Sequence, residues 1–409
     1  MQHSINKIKL IYICPEIPYP PNTGGKKAMH NHISSLIESN KYQITLVMFD
    51  VDGDRSENIK QYDAPNVQIH YFSRKIKRLG DGLSGVKDAF LAFFSSKPRI
   101  CKVREHSELL DKVDEIISKS MPDKIILEYL PSFELLPKIY WSKSNVCYIC
   151  QNIEGKVAYD NAMHKLLSFT GLIYLIEFLK TAHYEKTVLK KIRKTITISS
   201  VDENNLKHKY RSMDVINFPE FVPPKKEQWS GLNKKTILFV GASTYYPNKD
   251  ALIWLVKECF PLIQKMDSDI RLIVCGTKLE SIKNNLNGTS LHNIDFRGFV
   301  SDSELHKAHI ESDLFTCPII LGSGIKLKVL EAASYFMPIA ATSEALNGID
   351  FVKIKPVLFR NNALKSASNI VALLNDWPQL NTMSENLKDN VADFIKTRKS
   401  FTELIDTNN

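Results

Sequence analysis

The sequence lacks the features that mark secreted, membrane-spanning and nucleic-acid-binding proteins. No apolar stretch approaches the roughly 20 residues that a transmembrane helix needs. Residues 1–9 are polar and lead directly into a short apolar run, so no signal peptide is visible. No pattern of basic and aromatic residues typical of a nucleic-acid-binding protein stands out. We therefore expect a cytoplasmic protein with no nucleic acid partner.

Patterns for disulfides and metal sites are also weak. Seven cysteines are scattered over 409 residues and do not form a disulfide framework. Cys147 and Cys150 form a CxxC pair, but it falls in an apolar run typical of a buried strand. The acidic residues of the run 50–54 follow a predicted strand, where Asp and Gly are common in turns. His30 and His32 are spaced by two, which places them on different faces of a helix. We therefore expect no metal site.

The composition is that of an ordinary globular protein with a moderate basic excess. Hydrophobic residues make up 44% and charged residues 24% of the chain. The net charge of +9 suits phosphate-bearing ligands or an anionic membrane surface, although it establishes neither. A chain of 409 residues can bury the cores of two domains.

Apolar runs alternate with helical patterns, and the alternation starts again after a proline-rich segment. The predicted strands are residues 9–14, 44–49, 67–72, 124–127, 146–149, 195–199, 236–240, 270–275, 294–296, 314–317 and 338–341. The predicted helices include residues 28–39, 251–266, 302–310, 328–336, 363–375 and 381–394. This alternation predicts an α/β protein with two Rossmann-like, doubly wound domains. Two such domains facing each other would form a central cleft, where ligands usually bind.

The predicted domain limits follow from the same alternation. We expect an N-terminal domain over residues 1–216 and a linker over 217–235, which has three prolines and no clear period. A second domain is expected over 236–375. Residues 376–409 should form helices that pack back toward the hinge.

Two segments combine apolar and basic residues, and each has two interpretations. Residues 74–104 carry many Lys and Arg side chains around an apolar centre, and residues 165–194 form an apolar helical stretch with a Lys-rich end. One interpretation is a buried helix with a solvated face. The other is a surface that contacts the inner membrane or a lipid-linked acceptor.

Residues 322–331, with the sequence GSGIKLKVLE, have the features of an anion-binding site. Gly322 and Gly324 permit close approach of the backbone to a ligand, and the free N–H groups of the following helix attract anions. Lys326 and Lys328 add positive charge in the first turn, which is unfavourable unless an anion binds there. Glu331, one turn further on, could accept hydrogen bonds from ribose hydroxyls. The alternative is a glycine turn with surface lysines.

This segment resembles the donor-site signature of glycosyltransferase family 4, which has the two-domain GT-B fold. The resemblance extends to LFVGASTYYPNKDALIWL (238–255), to LIVCGT and to FRGFVSDSEL (296–305). In the first half, PEIPYPPNTGGKKAMHNHISSL (15–36) resembles the family's glycine loop, and CYICQNIEGKVAYDN (147–161) resembles a segment usually written His-Asn-x-Glu. The similarity covers most of the chain.

The resemblance implies transfer of a sugar from a nucleotide-diphosphate donor, normally with retention and without a tightly held metal or cofactor. By position, Gly24 and Gly25 would lie against the diphosphate and the transferred sugar. Lys249, Lys326 or Lys328 would offset the diphosphate charge, and Glu331 would bind ribose. The residues expected at the donor are Gly24, Gly25, Gly241, Lys249, Gly276, Phe299, Val300, Ser301, Gly322, Ser323, Gly324, Ile325, Lys326, Lys328 and Glu331. Thr342 and Glu344 are expected to line the same pocket.

The residues expected to take part in catalysis are Gly25, Gln151, Lys326 and Glu331, and the sequence departs from the family pattern near them. Ser323 replaces the first glutamate of a paired-glutamate motif. Gln151 replaces a common histidine, so it can bond a sugar hydroxyl but cannot exchange a proton. The usual arginine after residue 240 is missing, and Lys249 is the nearest cation.

The leading hypothesis is a hexosyltransferase-like enzyme that elongates a bacterial surface glycan such as O-antigen lipopolysaccharide, capsule or a lipid-linked oligosaccharide. The departures at Gln151 and Ser323 leave a second hypothesis open, a catalytically silent nucleotide-sugar-binding subunit that supports an active partner. A nucleotide-sugar epimerase is disfavoured, because no set of carboxylates and histidines is apparent for it.

Overall fold

The computed structural model describes residues 7–21, 23–50, 56–73, 93–165, 171–322 and 324–406. The described chain forms two compact units. The first consists of the residues up to Pro219 together with those from Lys399 onward, and the second is Glu220–Arg398. Each unit is built on its own parallel sheet.

Within the described residues, the first unit has a seven-stranded parallel sheet in the order β3-β2-β1-β4-β5-β6-β7. The strands are β1 (Ile8–Cys14), β2 (Tyr42–Asp50), β3 (Val67–Ser73), β4 (Lys124–Glu128), β5 (Val146–Cys150), β6 (Lys194–Thr197) and β7 (Asp214–Asn217). The six strands predicted from apolar runs are confirmed. Strand β7 was missed because Val215 and Ile216 are its only apolar residues, too few to stand out.

The helices of the first unit lie between these strands. They are α1 (Gly24–Glu38), α2 (Arg99–Lys102), α3 (Ser107–Ser120), α4 (Glu154–Lys165), α5 (Gly171–Leu189), α6 (Ser200–Lys209) and, from the end of the chain, α14 (Phe401–Asp406). Short 3-10 turns cover Ser56–Tyr62, Leu130–Leu135 and Lys138–Tyr140. Helix α14 is anchored to the sheet, since Lys124 Nζ donates to Ile405 O at 2.6 Å and Tyr42 Oη donates to Asp406 Oδ1 at 2.7 Å.

The central strands of the first sheet are buried on both faces, as expected of a parallel sheet covered by helices. Successive residues of β1 alternate between two cores, with Ile11 in one and Tyr12 in the other. The same alternation separates the CxxC pair. Cys150 packs in the first core and Cys147 in the second, on opposite faces of β5. The two thiols are therefore core residues and not a metal or redox pair.

Within the described residues, the second unit has a five-stranded parallel sheet in the order β10-β9-β8-β11-β12. The strands are β8 (Thr236–Val240), β9 (Arg271–Cys275), β10 (Ile294–Gly298), β11 (Leu314–Cys317) and β12 (Ile339–Ala341). The helices are α7 (Tyr246–Trp254), α8 (Phe260–Met266), α9 (Asp302–Glu311), α10 (Leu327–Ser334), α11 (Ser343–Leu346), α12 (Ala363–Leu374) and α13 (Trp377–Thr397). The helix expected over 251–266 starts earlier and is interrupted by a π-helical turn, Leu255–Cys259.

Most of the segment predicted to be a linker, residues 220–235, forms a strap that packs along the second unit. Asn217 ends β7, and the strap follows. Trp229 is buried, and its Nε1 donates to Ser312 O at 2.9 Å. The carboxylate of Asp313 accepts four backbone N–H groups from the end of the strap and from Thr236 at 2.9–3.0 Å. Its prolines and charges are typical of an unstructured segment. The buried Trp229 and the hydrogen bonds to Asp313 nevertheless hold the strap against the second unit.

None of the helices among the described residues is long and apolar enough to cross a membrane.

Candidate functional site

In the second unit, a glycine turn connects β11 to helix α10. Gly322 has φ +84° and Gly324 has φ +80°, in the left-handed region that side chains rarely adopt. A Cβ on Gly322 would also lie 2.5 Å from Tyr245 Oη, so that side chain would have to move. Ser323 lies outside the described residues. The turn therefore depends on its glycines, as the sequence suggested.

Lys326 is used to hold this turn together. Its Nζ donates to Gly322 O at 2.7 Å and to Gly324 O at 2.8 Å, and the residue is buried. Lys326 also occupies the N-cap position of α10, with Ile325 partly buried before it. The ammonium group thus fixes two turn carbonyls in place. The prediction that Lys326 offsets a diphosphate charge therefore applies to a diphosphate bound at this turn.

Lys328 brings a partly buried positive charge to the end of strand β8. Its Nζ donates to Asn248 Oδ1, near the start of α7, and lies 5.6 Å from the Phe239 ring centre. Burial lowers the pKa of the amine below its ordinary value. A Cβ on Gly241 would lie 3.0 Å from this nitrogen. None of the described carboxylates forms an ion pair with Lys328, so its charge is available to an anion.

The turns after β8 and β9 meet at the same edge. A Cβ on Gly276, which has φ +86°, would approach Gly241 O to 3.1 Å, and the Thr277 hydroxyl donates to the same oxygen. Gly241, Gly276 and Lys328 therefore form one small region at the carboxyl ends of the strands, the usual ligand position in such sheets. Lys249 lies partly exposed on α7.

The segment after β10 contains an exposed aromatic ring and a helix cap. Phe299 is 85% exposed, while Val300 packs partly into the core. Ser301 caps α9 through a capping box, in which its hydroxyl accepts from Glu304 N and the Glu304 carboxylate accepts from Ser301 N. The capping box is enough to explain a serine at position 301, so this residue does not need a ligand. Phe299 is the side chain here with a face available for stacking.

Glu331 and Glu344, both expected at the donor, have different surroundings. Glu331 is partly buried on α10, and no described residue donates a hydrogen bond to its carboxylate. Its charge contributes, after burial, to raising the pKa of Tyr335 to about 12. Thr342 and Glu344 line a groove of about 630 Å3 with Ile320 and Arg360. The groove lining includes none of residues 322–331.

In the first unit, helix α1 begins at the glycine loop, earlier than the predicted residue 28. Thr23 is its N-cap, and the Thr23 hydroxyl accepts from Lys26 N at 3.3 Å. Gly24 and Gly25 form the first turn, which contains no acidic residue. A Cβ on Gly25 would lie 2.7 Å from Gln151 Oε1. The structure therefore brings Gly25 and Gln151 together.

A buried polar cluster below Gln151 was missed by the sequence analysis. Gln151 Nε2 donates to Gly25 O at 3.2 Å and to Glu128 Oε1 at 2.7 Å. Glu128 is fully buried at the end of β4, where its Oε2 accepts from the Tyr12 hydroxyl and lies 3.0 Å from His32 Nδ1. A charged residue closing an apolar run is rarely buried without partners. That rule could have identified Glu128.

Two more buried carboxylates lie next to this cluster. Glu185 of α5 accepts the N–H groups of Glu154 at 2.7 Å and Gly155 at 3.0 Å, which caps helix α4. Burial raises the pKa of Glu154 to about 8 and that of Glu185 to about 7. Because Glu185 receives the two N–H bonds that stabilise an ionised carboxylate, we assign the retained proton to Glu154.

The two parallel α/β units have the architecture of the GT-B fold. The fold is shown by solved structures. The chain superposes on a mutant of S. aureus TarM in complex with fondaparinux, alpha-GlcNAc-glycerol and UDP with a TM-score of 0.62, at 12% identity over 98% of this chain and 100% of that one. It superposes on Anabaena Alr3699/HepE in complex with UDP and glucose with a TM-score of 0.59, at 11% identity over 97% of both chains.

The sequence comparisons identify one domain. Residues 234–376 match the family of Glycosyl transferases group 1, so this part of the chain is a group 1 glycosyltransferase domain. A relative from Klebsiella pneumoniae, described as an uncharacterized 44.6 kDa protein in the cps region, is 22% identical over 98% of this chain and 100% of its own length.

Proposed function

We propose that the protein transfers a sugar from a nucleotide-diphosphate sugar to a glycan or lipid-linked acceptor during synthesis of a bacterial surface polysaccharide. The observation that carries the proposal is the combination, within one group 1 glycosyltransferase domain, of Lys328 and Glu331 on helix α10. Lys328 supplies a partly buried positive charge with a neutral partner. Glu331 supplies a carboxylate with no described donor. One suits a diphosphate and the other a ribose diol.

The division of roles within the site follows from these surroundings. Gly241, Gly276 and the turn at Gly322 offer backbone groups to the diphosphate, and Lys328 offsets its charge. Glu331 accepts the ribose hydroxyls, and the exposed ring of Phe299 stacks on the base. In the first unit, Gly25 and Gln151 contact a sugar. A preorganised positive site of this kind stabilises the leaving diphosphate in the transition state.

The direct experiment incubates the purified protein with a panel of nucleotide sugars and measures binding and release of the nucleoside diphosphate. We expect one or a few donors to bind and to be slowly hydrolysed. Lys328→Met should abolish this release, whereas Lys257→Met, which removes an exposed lysine of the same unit, should not. A protein that binds none of the donors would refute the proposal.

We further propose that transfer proceeds with retention and needs no tightly held metal. Lysine and helix N–H groups can neutralise a diphosphate in place of a cation. The stereochemistry is tested by following the anomeric proton of the product by NMR, where an inverted product contradicts the proposal. Activity that survives EDTA supports metal independence, and activity restored only by added Mg2+ or Mn2+ contradicts it.

The surface-glycan role draws its support from the cps-region relative. A cytoplasmic protein that meets a lipid-linked acceptor would bind at the inner membrane face. In the described residues, Leu172, Ile173 and Leu179 of α5 are 49–69% exposed, and Phe94 is 69% exposed. Cosedimentation with anionic lipid vesicles should be lost in a variant carrying Leu172→Ser, Ile173→Ser and Leu179→Ser. Equal sedimentation of both proteins would contradict membrane contact.

A second candidate, a silent nucleotide-sugar-binding subunit, is favoured by one observation. Gln151, which lies beside Gly25, carries an amide that cannot exchange a proton. A single-turnover assay with donor and native acceptor separates the candidates. An enzyme forms product within one turnover, whereas a silent subunit binds the donor and transfers nothing.

A further inference from the structure

The side-chain amide of Gln151 is held in one orientation. Its Nε2 donates to Glu128 Oε1 at 2.7 Å and to Gly25 O at 3.2 Å, two oxygens that can only accept. The amide oxygen must therefore point the other way. No described residue donates a hydrogen bond to Gln151 Oε1, which occupies the space beside Gly25 where a Cβ would be.

The orientation depends on the charge state and identity of Glu128. Its other oxygen, Oε2, accepts from the Tyr12 hydroxyl and faces His32 Nδ1 at 3.0 Å. With donors on that side, the carboxylate presents a second acceptor to Gln151. A carboxylate accepts at both oxygens, while an amide at the same position would offer one acceptor and one donor.

We propose that Glu128 is a specificity-determining positioning residue, which makes Gln151 a pure hydrogen-bond acceptor and selects a sugar with a free hydroxyl at the glycine loop. This inference rests on the proposed function. A hydroxyl can donate to Gln151 Oε1. A fluorine or a carboxylate at the same place cannot donate, and a carboxylate is also repelled by the amide oxygen. Sites that bond a particular hydroxyl reject analogues lacking it far more strongly than apolar pockets do.

The substitution Glu128→Gln should reverse the amide. The donors Tyr12 and His32 favour the new oxygen of residue 128 on their side, so its NH2 group faces Gln151. Gln151 then accepts from residue 128, gives up the bond that its NH2 donates to Gly25 O, and turns this NH2 toward the sugar. An NH2 group bonds a hydroxyl, a fluorine or a carboxylate oxygen. The Glu128→Gln variant should still use the hexose donor. It should also use donors in which the hydroxyl is replaced by a group that can only accept a hydrogen bond.

The experiment compares the hexose donor found in the panel with its monofluorinated analogues and its uronate, for example UDP-glucose, its deoxyfluoro analogues and UDP-glucuronate. The ratio of kcat/KM for donor hydrolysis, hexose over analogue, is measured for each. In the wild type, kcat/KM for at least one analogue should be lower than kcat/KM for the hexose by on the order of 10-fold or more. In Glu128→Gln this ratio should fall to within about threefold of unity.

Tyr12→Phe is the matched control, because it removes a donor to Glu128 Oε2 and leaves the bond that Gln151 Nε2 donates to Glu128 Oε1. It should retain the wild-type ratio, even if the protein becomes less stable. A ratio that is unchanged in Glu128→Gln, or that falls equally in Tyr12→Phe, would overturn the proposal and leave Glu128 a structural residue. If the wild type binds no nucleotide sugar, the proposed function fails and this inference fails with it. Normal donor turnover with no discrimination among analogues overturns this inference alone.

Discussion

Lys328 and Asn248, which are 80 residues apart in sequence, are joined by a hydrogen bond from the lysine amine to the amide oxygen of asparagine. The bond places a positive charge near the end of β8 and gives it a neutral partner. A buried lysine paired with a carboxylate would be electrically satisfied. Pairing with an amide leaves the charge to be balanced by a ligand.

Replacing this neutral partner with a charged one should weaken nucleotide binding. We expect Asn248→Asp to reduce the affinity for UDP by roughly 1–3 kcal/mol, because the new carboxylate neutralises Lys328 and repels the diphosphate. The variant should fold, since an acidic residue is favourable in the first turn of α7. Calorimetric titration measures the effect. Asn287→Asp adds the same charge at an exposed position and should bind UDP as the wild type does.

The free energy of unfolding should decrease as pH rises, because Glu154 keeps a proton in the folded protein. Its folded-state pKa of about 8 lies above the ordinary value of 4.5, so between these values the folded protein holds a proton that the unfolded chain has released. The free energy of unfolding therefore falls as pH rises through this window. Glu154→Gln should flatten the dependence and raise the melting temperature at pH 8.5. The exposed Glu280→Gln should leave it unchanged, and a wild-type melting temperature that rises from pH 5.5 to 8.5 would contradict the assignment.

Replacing the carboxylate of Asp313 with an amide should weaken the attachment of the strap to the second unit. Asp313→Asn replaces one acceptor oxygen with a donor that faces backbone N–H groups, and we expect a loss of about 1–3 kcal/mol in the free energy of unfolding. Urea denaturation measures it. The exposed Asp269→Asn is the matched control. Equal midpoints for the two variants would show that the four hydrogen bonds contribute little.

Much of the architecture could be predicted from local pattern. Buried parallel strands are continuous apolar runs, and eleven of the twelve described strands were found in this way. The exception, β7, has too little apolar sequence. The glycine turns at Gly322 and Gly324 were also predictable, because their backbone conformation restricts the residue type.

The contacts of the site were harder to predict, because they depend on residues distant in sequence. Lys326 and Lys328 look alike as two basic residues at a helix start. Their spacing of two sends them to different partners, the turn carbonyls and Asn248. Glu128 was missed for a similar reason. Its partners Tyr12, His32 and Gln151 come from three different elements, and no local pattern connects them.

We propose that the nucleotide diphosphate binds at the turn and helix of residues 322–331. Calorimetric titration of UDP, or of the diphosphate preferred in the donor panel, into wild type, Glu331→Gln and Glu344→Gln tests it most directly. The first substitution removes the carboxylate placed at the ribose, and the second removes one that lines the separate groove. We predict that Glu331→Gln weakens binding by roughly 1–3 kcal/mol while Glu344→Gln binds as the wild type does. Unchanged affinity in Glu331→Gln, or a loss confined to Glu344→Gln, would contradict the account.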